Sequence, residues 1–519
     1  MAISIRALER FLEAESPAPL PVRGAPLEDL YFCLESMGEM PPSKTVPRAV
    51  QLEGLVFALG NPRSLLFFDM RVGKTLIALL WIGFLRKNGL LKKPALVIAH
   101  SPLALGIWKS EAEKHTYLDV RTVSSGPTAE KVLWEEGSRA DAVVVSWPTL
   151  QSVFSERRPK VRGEGSKFYP NLALIKKASE LFGAAIIDEI HMSMDPGSLR
   201  FQIAEHLIAQ CDWRLGLTGT PMGRNPYGLW AQFYLIDDGD RLTKNYYFFE
   251  RAFGRQVRNP FRMSGYEYKF DTRRMPDLQK KIRDISLSCR LTDVHDVNVL
   301  PGIVELEMSK EQKKAYDDVV SGVAKAHSGS SEAVKNAFVR LRQISSGYRP
   351  SGEDDEKYVD FLEASKFTWA EEFFDTLDPE IKCVFFHEFV HTGERLGYIL
   401  ERKKIEHVRL WGGSRDREAY RRHFQQGSAR VLVANVATGG VGADFSAADY
   451  LCFFESPPSV IARKQAEARP LGRGDRPLVL DDLICSPIER RILEFQKEGA
   501  DIAALFRGTG EDVARRLRT

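Results

Sequence analysis

Short apolar runs of strand length alternate with helical patterns in two separate parts of the chain. In the first part these runs are LLFF at 65–68, ALVIA at 95–99, AVVVS at 142–146, AAIID at 184–188 and RLGLT at 214–218. In the second part they are CVFFHE at 383–388, HVRLW at 407–411, RVLVAN at 430–435 and YLCFFE at 450–455. Apolar strands that alternate with helices are typical of parallel sheets covered on both faces. The pattern therefore predicts an α/β fold with two tandem parallel-sheet lobes.

The other segments divide the 519 residues around these two lobes. Residues 1–45 combine a short amphipathic start with a proline-rich run and are predicted to be an appendage. Residues 46–236 are predicted to form the first lobe, 237–365 a helical insertion and inter-lobe connection, and 366–519 the second lobe. Within the connection, Ser309 and Gln312 form a capping box that predicts the start of a helix. The charged stretch 155–167 is interpreted as a surface insertion in the first lobe.

Composition excludes several classes of protein. The 73 Lys and Arg residues against 70 Asp and Glu residues leave a formal charge of +3, so a nucleic-acid surface has to be local. The six cysteines form no C-x-x-C pair, which disfavours a zinc site and a disulfide framework. The most apolar stretch, 76–85, is too short to cross a bilayer, and the N-terminus lacks the apolar core of a signal peptide. We therefore expect a soluble, intracellular protein.

Gly73-Lys74-Thr75 lies between a predicted strand and a predicted helix. A loop in this context binds phosphates through backbone N–H groups and the helix dipole, with the lysine on the β/γ oxygens and the threonine hydroxyl on Mg²⁺. The loop departs from the usual P-loop pattern, because Phe68 stands at the first glycine and Arg71 at a position often filled by glycine. By itself the tripeptide also fits an ordinary helix start.

An acidic pair at the end of a buried strand favours the phosphate-binding interpretation. Asp188 and Glu189 directly follow the apolar residues 184–187, and two carboxylates are costly at such a position without a task. In P-loop enzymes the first acid orders Mg²⁺ and the next activates the attacking water. Asp188 is therefore assigned to the metal and Glu189 to the general base. His191 either couples this site to the second lobe or caps the loop.

The order of the motifs resembles that of superfamily-2 helicases, and more closely the Swi/Snf-type branch of double-stranded-DNA translocases. In the first lobe the matching segments are PRAVQ at 47–51, FDMRVGKT at 68–75, IAHSP at 98–102 with Trp108, DAVVVSW at 141–147, DEIH at 188–191 and LTGTP at 217–221. In the second lobe they are VFFH at 384–387, NVATGGVGADF at 435–445 and QAEARPLGRGD at 465–475. Each segment alone is weak, but the ordered series is specific. The resemblance implies two RecA-like lobes.

The resemblance also implies the residues that bind ATP and Mg²⁺. The metal is assigned to Thr75 and Asp188. The nucleotide is assigned to Gln51, Met70, Arg71, Val72, Gly73, Lys74, Thr75, Gly442, Asp444 and Gln465.

An arginine finger is expected in the last motif, where a fixed cation stabilises the charge that develops on the γ-phosphate. Three residues rather than two separate Arg469 from Arg473, and Asp475 replaces the final glutamine of the family pattern. Arg473 is the favoured finger, with Arg469 also reaching the phosphates, but the assignment between the two stays open.

Contacts to the nucleic-acid backbone are expected at the loops of both lobes and in the segment 253–274, where basic and aromatic residues interleave. For all of these residues the alternative is an ordinary turn, cap or solvated surface position. The candidates are Ser101, Lys109, Thr218, Arg224, Arg258, Arg262 and Thr438.

Together these features indicate a DNA-stimulated ATPase that translocates on double-stranded DNA by ATP-driven closure of two lobes, either remodelling protein–DNA complexes or driving branch migration. The alternatives are a strand-separating DNA helicase and an ATP-gated nucleic-acid clamp or scaffold with weak hydrolysis. We expect a monomer that binds duplex DNA without sequence preference and is recruited by protein partners. Minimal chains of this kind resemble those of bacteria and their viruses, so the expected location is the cytoplasm of a bacterial or phage-infected cell, away from membranes.

Overall fold

The computed structural model describes residues 22–126, 128–159, 166–222, 226–259, 265–293, 299–325, 331–351, 354–412, 414, 416–439, 444–471, 477–498 and 510–518. The chain divides into two compact units, Met1–Val294 and His295–Thr519, called here the N-terminal and the C-terminal unit. Within the described ranges, no helix combines the length and apolar character needed to cross a membrane.

The N-terminal unit is built on a parallel sheet. Its strands are β1 Arg63–Phe68, β2 Ala95–Ala99, β3 Val120–Val123, β4 Ala142–Ser146, β5 Ser155–Pro159, β6 Ser166–Pro170, β7 Ala184–Asp188, β8 Trp213–Leu217, β9 Gly254–Arg258, β10 Tyr266–Phe270 and β11 Ser286–Cys289. Seven of these described strands form the sheet, in the order β11-β1-β8-β7-β2-β4-β3, with every pairing parallel. The remaining four form two antiparallel hairpins, β5/β6 and β9/β10.

Helices cover this sheet and follow its strands. Those described are Leu27–Met37, Ala49–Gly60, Lys74–Lys87, Pro102–His115, Ala129–Lys131, Trp147–Phe154, Leu172–Ser179, Leu199–Leu207, Gly228–Asp237, Tyr246–Phe253 and Met275–Ile282. Short 3₁₀ or π turns occupy Val132–Glu136, Gly137–Arg139, Ile190–Ser193, Thr272–Arg274 and Leu291–Asp293. Local signals start several helices: Pro102 fills a first-turn position, and Ser146 accepts a hydrogen bond from the backbone N–H of Thr149.

The C-terminal unit repeats the same plan with a different strand order. Its strands are β12 Val299–Glu305, β13 Tyr348–Ser351, β14 Asp354–Asp360, β15 Cys383–His387, β16 His407–Leu410, β17 Val431–Asn435, β18 Tyr450–Phe453 and β19 Leu478–Ile484. Six described strands form a parallel sheet in the order β12-β19-β18-β15-β17-β16, and β13/β14 is an antiparallel hairpin. The helices described here are Lys310–Lys325, Ser331–Ser346, Ser365–Thr376, Val390–Arg402, Arg417–Gln426, Val436–Gly439, Val460–Glu467, Pro487–Glu498 and Gly510–Arg518.

The structure confirms the predicted α/β class and the two parallel-sheet lobes. Strands β2, β4 and β15, predicted from apolar runs, are fully buried, as expected for a parallel sheet covered by helices on both faces, whereas β16 is only partly buried. The predicted capping box is present as well: Gln312 N donates to Ser309 Oγ over 3.2 Å, and Ser309 N donates to Gln312 Oε1 over 3.3 Å.

The region 237–365, predicted as a helical insertion and inter-lobe connection, contains both helices and strands. The two units divide between Val294 and His295, and the region contributes elements to both of them. Strand β11 pairs with β1, and strand β12 pairs with β19. Each joins an existing sheet because an added parallel strand satisfies its backbone groups there. The stretch 155–167 falls on the hairpin β5/β6, whose residues 160–165 lie outside the described ones.

Candidate functional site

The loop 69–73 connects β1 to the helix Lys74–Lys87 and holds two residues in the left-handed backbone region. Gly73 has φ 97°, and a Cβ at this position would lie 2.1 Å from Gln51 Nε2, so only glycine fits. Arg71 has φ 66°, a conformation that non-glycine residues rarely adopt. Lys74 Nζ donates to Phe68 O at 2.8 Å and Asp69 O at 3.3 Å, so its ammonium group lies over the loop.

Gln51 contacts this loop from the helix Ala49–Gly60. Its Oε1 accepts a hydrogen bond from Arg48 N at 2.9 Å, and its Nε2 donates to Val72 O at 3.3 Å. Arg48 Nη2 donates to the same carbonyl at 2.9 Å. The structure therefore brings together the glutamine segment and the phosphate-loop segment, as the motif series predicts.

Asp188 ends β7 next to the C-terminal end of β2. Its Oδ2 accepts a hydrogen bond from Trp108 Nε1 at 3.1 Å, and His100 Nδ1 lies 3.7 Å from the same oxygen. Both neighbours belong to the segment that follows β2, since β2 and β7 pair in parallel with Ile98 opposite Ile187. The carboxylate is mostly shielded, with its side chain 14% exposed.

Glu189 has a strained backbone and a polar surrounding. Its φ of 49° is left-handed, which is uncommon outside glycine and clusters at functional sites. The residue is 8% exposed, and its Oε2 accepts a hydrogen bond from Thr218 Oγ1 at 3.2 Å and lies 3.2 Å from His191 Nδ1. Burial raises the pKa of the Glu189 carboxyl, but the His191 hydrogen bond and the charge of Lys74 outweigh it, so the pKa lies well below its usual value. Glu189 is therefore ionised at neutral pH.

The loop after β8 contributes Thr218 and Thr220 to the hydrogen bonds around Glu189 and His191. Thr218 Oγ1 lies 2.9 Å from His191 Nδ1, and Thr220 N donates to Thr218 Oγ1 at 3.1 Å. A Cβ on Gly219 would lie 3.3 Å from Phe68 O, so this loop packs directly on the phosphate loop. His191, whose role the sequence leaves open, connects the acidic pair to this neighbouring loop of the same unit.

Thr218 is expected among the residues that contact the nucleic-acid backbone. In this structure its side chain is fully buried between Glu189 and His191, so the nucleic-acid contact at this position stays a prediction. Its position makes it a link between the acidic pair and the loop after β8.

The other candidates for nucleic-acid contact are scattered, and their role stays a prediction. Ser101 directly precedes the helix Pro102–His115, on which Lys109 is exposed. Arg258 is exposed at the end of β9, and Thr438 lies in the short helix Val436–Gly439. Arg224 and Arg262 lie outside the described residues.

In the C-terminal unit, the motif segment that ends at Phe445 lies beside the segment that contains Arg469. Phe445 N donates to Arg469 O at 3.1 Å, and Asp444 Oδ1 accepts a hydrogen bond from Ser446 N at 2.9 Å. Gln465, on the helix Val460–Glu467, and Arg469 are both half-buried. Arg473 and Gly442 lie outside the described residues, so the arginine-finger assignment stays open.

Sequence reasoning assigned no role to His100 and used Trp108 only as a match to a family motif. Both lie against Asp188 in the structure. The available signal was their position directly after the predicted strand β2, and the structure pairs this strand with β7, which ends in Asp188. Strand order is not readable from periodicity, so the contact itself was not predictable.

Comparison with known proteins supports one family. The profile of the SNF2-related domain matches residues 51–347, more than half of the chain. Among curated proteins, the Helicase SWR1 of Candida glabrata is 25% identical over 55% of this chain and 19% of its own length. The Uncharacterized ATP-dependent helicase MG018 of Mycoplasma genitalium is 22% identical over 79% of this chain and 37% of its own length. The Putative ATP-dependent helicase/translocase YwqA of Bacillus subtilis is 22% identical over 75% of this chain and 40% of its own length.

The chain thus spans less than half the length of each of these three relatives. Among solved structures, one that aligns is the Sulfolobus solfataricus SWI2/SNF2 ATPase core in complex with dsDNA. The alignment covers 93% of this chain and 99% of the Sulfolobus chain, with 18% identity and a TM-score of 0.41.

Proposed function

The chain belongs to the SNF2-related family, and from this premise we propose that it hydrolyses ATP and uses the energy to translocate on double-stranded DNA. The observation that carries the proposal is the buried network in which Glu189 accepts a hydrogen bond from Thr218 and lies 3.2 Å from His191, beside the phosphate loop. A general base has to be ionised before it can accept a proton from the attacking water.

Phosphate binding is the first step of the proposed cycle. The loop 69–73 and the start of the helix Lys74–Lys87 present backbone N–H groups and the positive end of the helix dipole. Lys74 binds the β- and γ-phosphates once ATP replaces the loop carbonyls that its ammonium group contacts now. Gln51, already against Val72, places its remaining hydrogen-bonding capacity beside the adenine.

Mg²⁺ fits the donor chemistry of this site. Thr75 and Asp188 supply a hydroxyl and a carboxylate, the hard oxygen ligands that Mg²⁺ prefers, and Mg²⁺ usually enters with the substrate phosphates rather than in an all-protein cage. The metal neutralises phosphate charge when bound, while Thr75 and Asp188 orient it.

In the proposed cycle, the C-terminal unit couples ATP hydrolysis to movement along DNA. Arg469 and Arg473 belong to that unit, whereas Lys74 and Glu189 belong to the first. ATP binding is expected to bring the arginines to the γ-phosphate, and release of the products to separate the units again. A cycle of this kind shifts two sets of phosphate contacts along the duplex, and phosphate contacts carry no sequence information.

The test is steady-state ATPase activity with and without duplex DNA, together with displacement of a third strand from a triplex. We expect duplex DNA to stimulate hydrolysis and the third strand to be displaced only with ATP. Unwinding of a tailed duplex would indicate a strand-separating helicase instead. Absence of turnover in the presence of ATP-dependent DNA binding would indicate a clamp. Glu189→Gln controls for contaminating ATPase activity.

A further inference from the structure

Trp108 is a buried residue that contacts the acidic pair from outside the phosphate loop. It lies on the helix Pro102–His115, which begins just beyond β2. Because β2 and β7 are parallel neighbours, this helix starts at the sheet edge where Asp188 ends β7. Trp108 is only 1% exposed, so its ring is packed on all sides.

The contact has a specific chemistry. Trp108 Nε1 donates to Asp188 Oδ2 at 3.1 Å, whereas His100 Nδ1, at 3.7 Å from the same oxygen, is beyond hydrogen-bonding distance. An indole N–H is a neutral group that donates and does not accept. The indole therefore fixes the carboxylate and leaves its negative charge in place. A lysine or arginine at the same position would neutralise that charge. Both of these contacts, from Trp108 and from His100, are within the described part of the chain to Oδ2, which leaves Oδ1 available to a cation or a cation-bound water.

We propose that Trp108 is the positioning residue that holds Asp188 in the orientation that Mg²⁺ requires, by fixing Oδ2 and leaving Oδ1 for the metal or its water. The inference rests on the proposed function, which assigns Mg²⁺ to Thr75 and Asp188. Outer-shell donors of this type orient metal-binding carboxylates and tune metal affinity. The same helix carries Lys109 and directly follows Ser101, so the metal ligand contacts a candidate nucleic-acid segment.

The experiment removes the N–H and keeps the ring. Position 108 is replaced by 3-benzothienylalanine, an isostere of tryptophan without the donor, and separately by Phe. Trp81 offers a matched control, because it is fully buried in the same unit and its Nε1 donates to a backbone carbonyl, Ala58 O, at 3.2 Å. The probes are Mn²⁺ binding in the presence of the non-hydrolysable analogue AMP-PNP, followed by electron paramagnetic resonance, and binding of fluorescent ATP in EDTA. Neither needs DNA or turnover.

We expect both changes at Trp108 to raise the Kd for Mn²⁺ by about tenfold, the lower end of what outer-shell changes cost. Metal-free nucleotide binding should stay the same, and Trp81→Phe should alter neither measurement. Unchanged Mn²⁺ affinity in the benzothienyl variant overturns the proposal. So does an equal loss at Trp81, or a parallel loss of metal-free nucleotide binding, since each indicates general packing damage. If the unaltered protein binds no Mn²⁺ with AMP-PNP, the proposed function fails together with this inference. If it binds but DNA does not stimulate hydrolysis, only the proposed function is affected.

Discussion

Glu189 and Glu388 occupy equivalent places in the two units, yet their surroundings differ. Glu189 directly follows β7 in the N-terminal unit, and Glu388 directly follows β15 in the C-terminal unit. Each comes one residue after the end of a buried parallel strand and shortly before a histidine, His191 in one case and His391 in the other. The sequence nevertheless distinguishes them, because Glu189 forms an acidic pair with Asp188, whereas Glu388 follows His387.

The groups that surround Glu189 and Glu388 shift the pKa values of the two carboxyls in opposite directions. Around Glu189, the hydrogen bond of His191 and the charge of Lys74 lower the pKa of the carboxyl against the effect of burial. Around Glu388, burial raises the pKa more than the ion pair with Arg342 lowers it, and the nearby carboxyl of Glu455 adds to the rise. Only Glu189 has left-handed backbone geometry. The comparison shows that the ionisation of an acid at a strand end depends on the groups that neighbouring loops bring to it.

The largest expected effect comes from removing each carboxylate in turn. Glu189→Gln should lower the ATPase rate by roughly 10²- to 10⁴-fold, the usual contribution of a general base. Glu388→Gln is the matched control, and we expect its rate to stay within a few fold of the original. Steady-state ATPase assays on both variants check this. Equal losses would mean that the two glutamates do not differ as their surroundings indicate.

The second prediction concerns the cation beside Glu388. Arg342→Met leaves a largely buried carboxyl without its ion-pair partner and should destabilise the fold by about 3 kcal/mol at neutral pH. Because the folded-state pKa of Glu388 is already raised, the folded protein holds this proton more tightly than the unfolded chain, and stability falls as pH rises through that window. Removing Arg342 raises the pKa further.

The loss of stability in Arg342→Met should therefore be larger at about pH 8 than at about pH 5. Urea unfolding at both values measures it. A loss that does not depend on pH would indicate that Arg342 acts through its packing on Phe389 and Phe338, over which its guanidinium lies, rather than through its charge.

A third, smaller effect concerns Glu189, whose lowered pKa makes the pH dependence of stability opposite in sign to that of Glu388. An acid whose folded-state pKa is lowered stabilises the fold above its unfolded pKa, and this contribution is lost as pH falls through the folded pKa. His191→Leu removes the hydrogen bond that lowers this pKa. We expect the midpoint of acid unfolding to move up by about half to one pH unit, which corresponds to about 1 kcal/mol. In a Glu189→Gln background the same substitution should produce no such shift.

The smallest expected effect concerns backbone strain. Arg71 and Lys404, one in each unit, have φ 66° and 56°. Glycine at either position relieves strain but increases the entropy of the unfolded chain, so the two contributions nearly cancel and leave about 0.5 kcal/mol or less. Denaturant unfolding of Arg71→Gly and Lys404→Gly should give similar values, and only Arg71→Gly should change nucleotide affinity. A stability loss above about 1 kcal/mol at Arg71 alone would show that its side chain supports the loop.

Much of the fold could be predicted from the sequence, because the signals are local. Apolar runs bounded by helical patterns indicate parallel strands whatever their order, and both sheets contain the strands expected from them. The phosphate loop and the acidic pair were also recognisable, since each is a contiguous segment at the end of a strand. The division of the chain at residues 294 and 295 was not, because it depends on which sheet β11 and β12 join.

The sequence by itself determined the two α/β lobes, the order of the motifs and the residue types available for phosphate and metal binding. Only the tertiary structure decided that Thr218 is buried against Glu189, that Trp108 donates to Asp188 from 80 residues away, and that the pKa values of Glu189 and Glu388 shift in opposite directions. The reason is that hydrogen bonds and pKa values depend on distances between side chains from different loops. Those distances follow from strand order and packing, which a linear pattern does not encode.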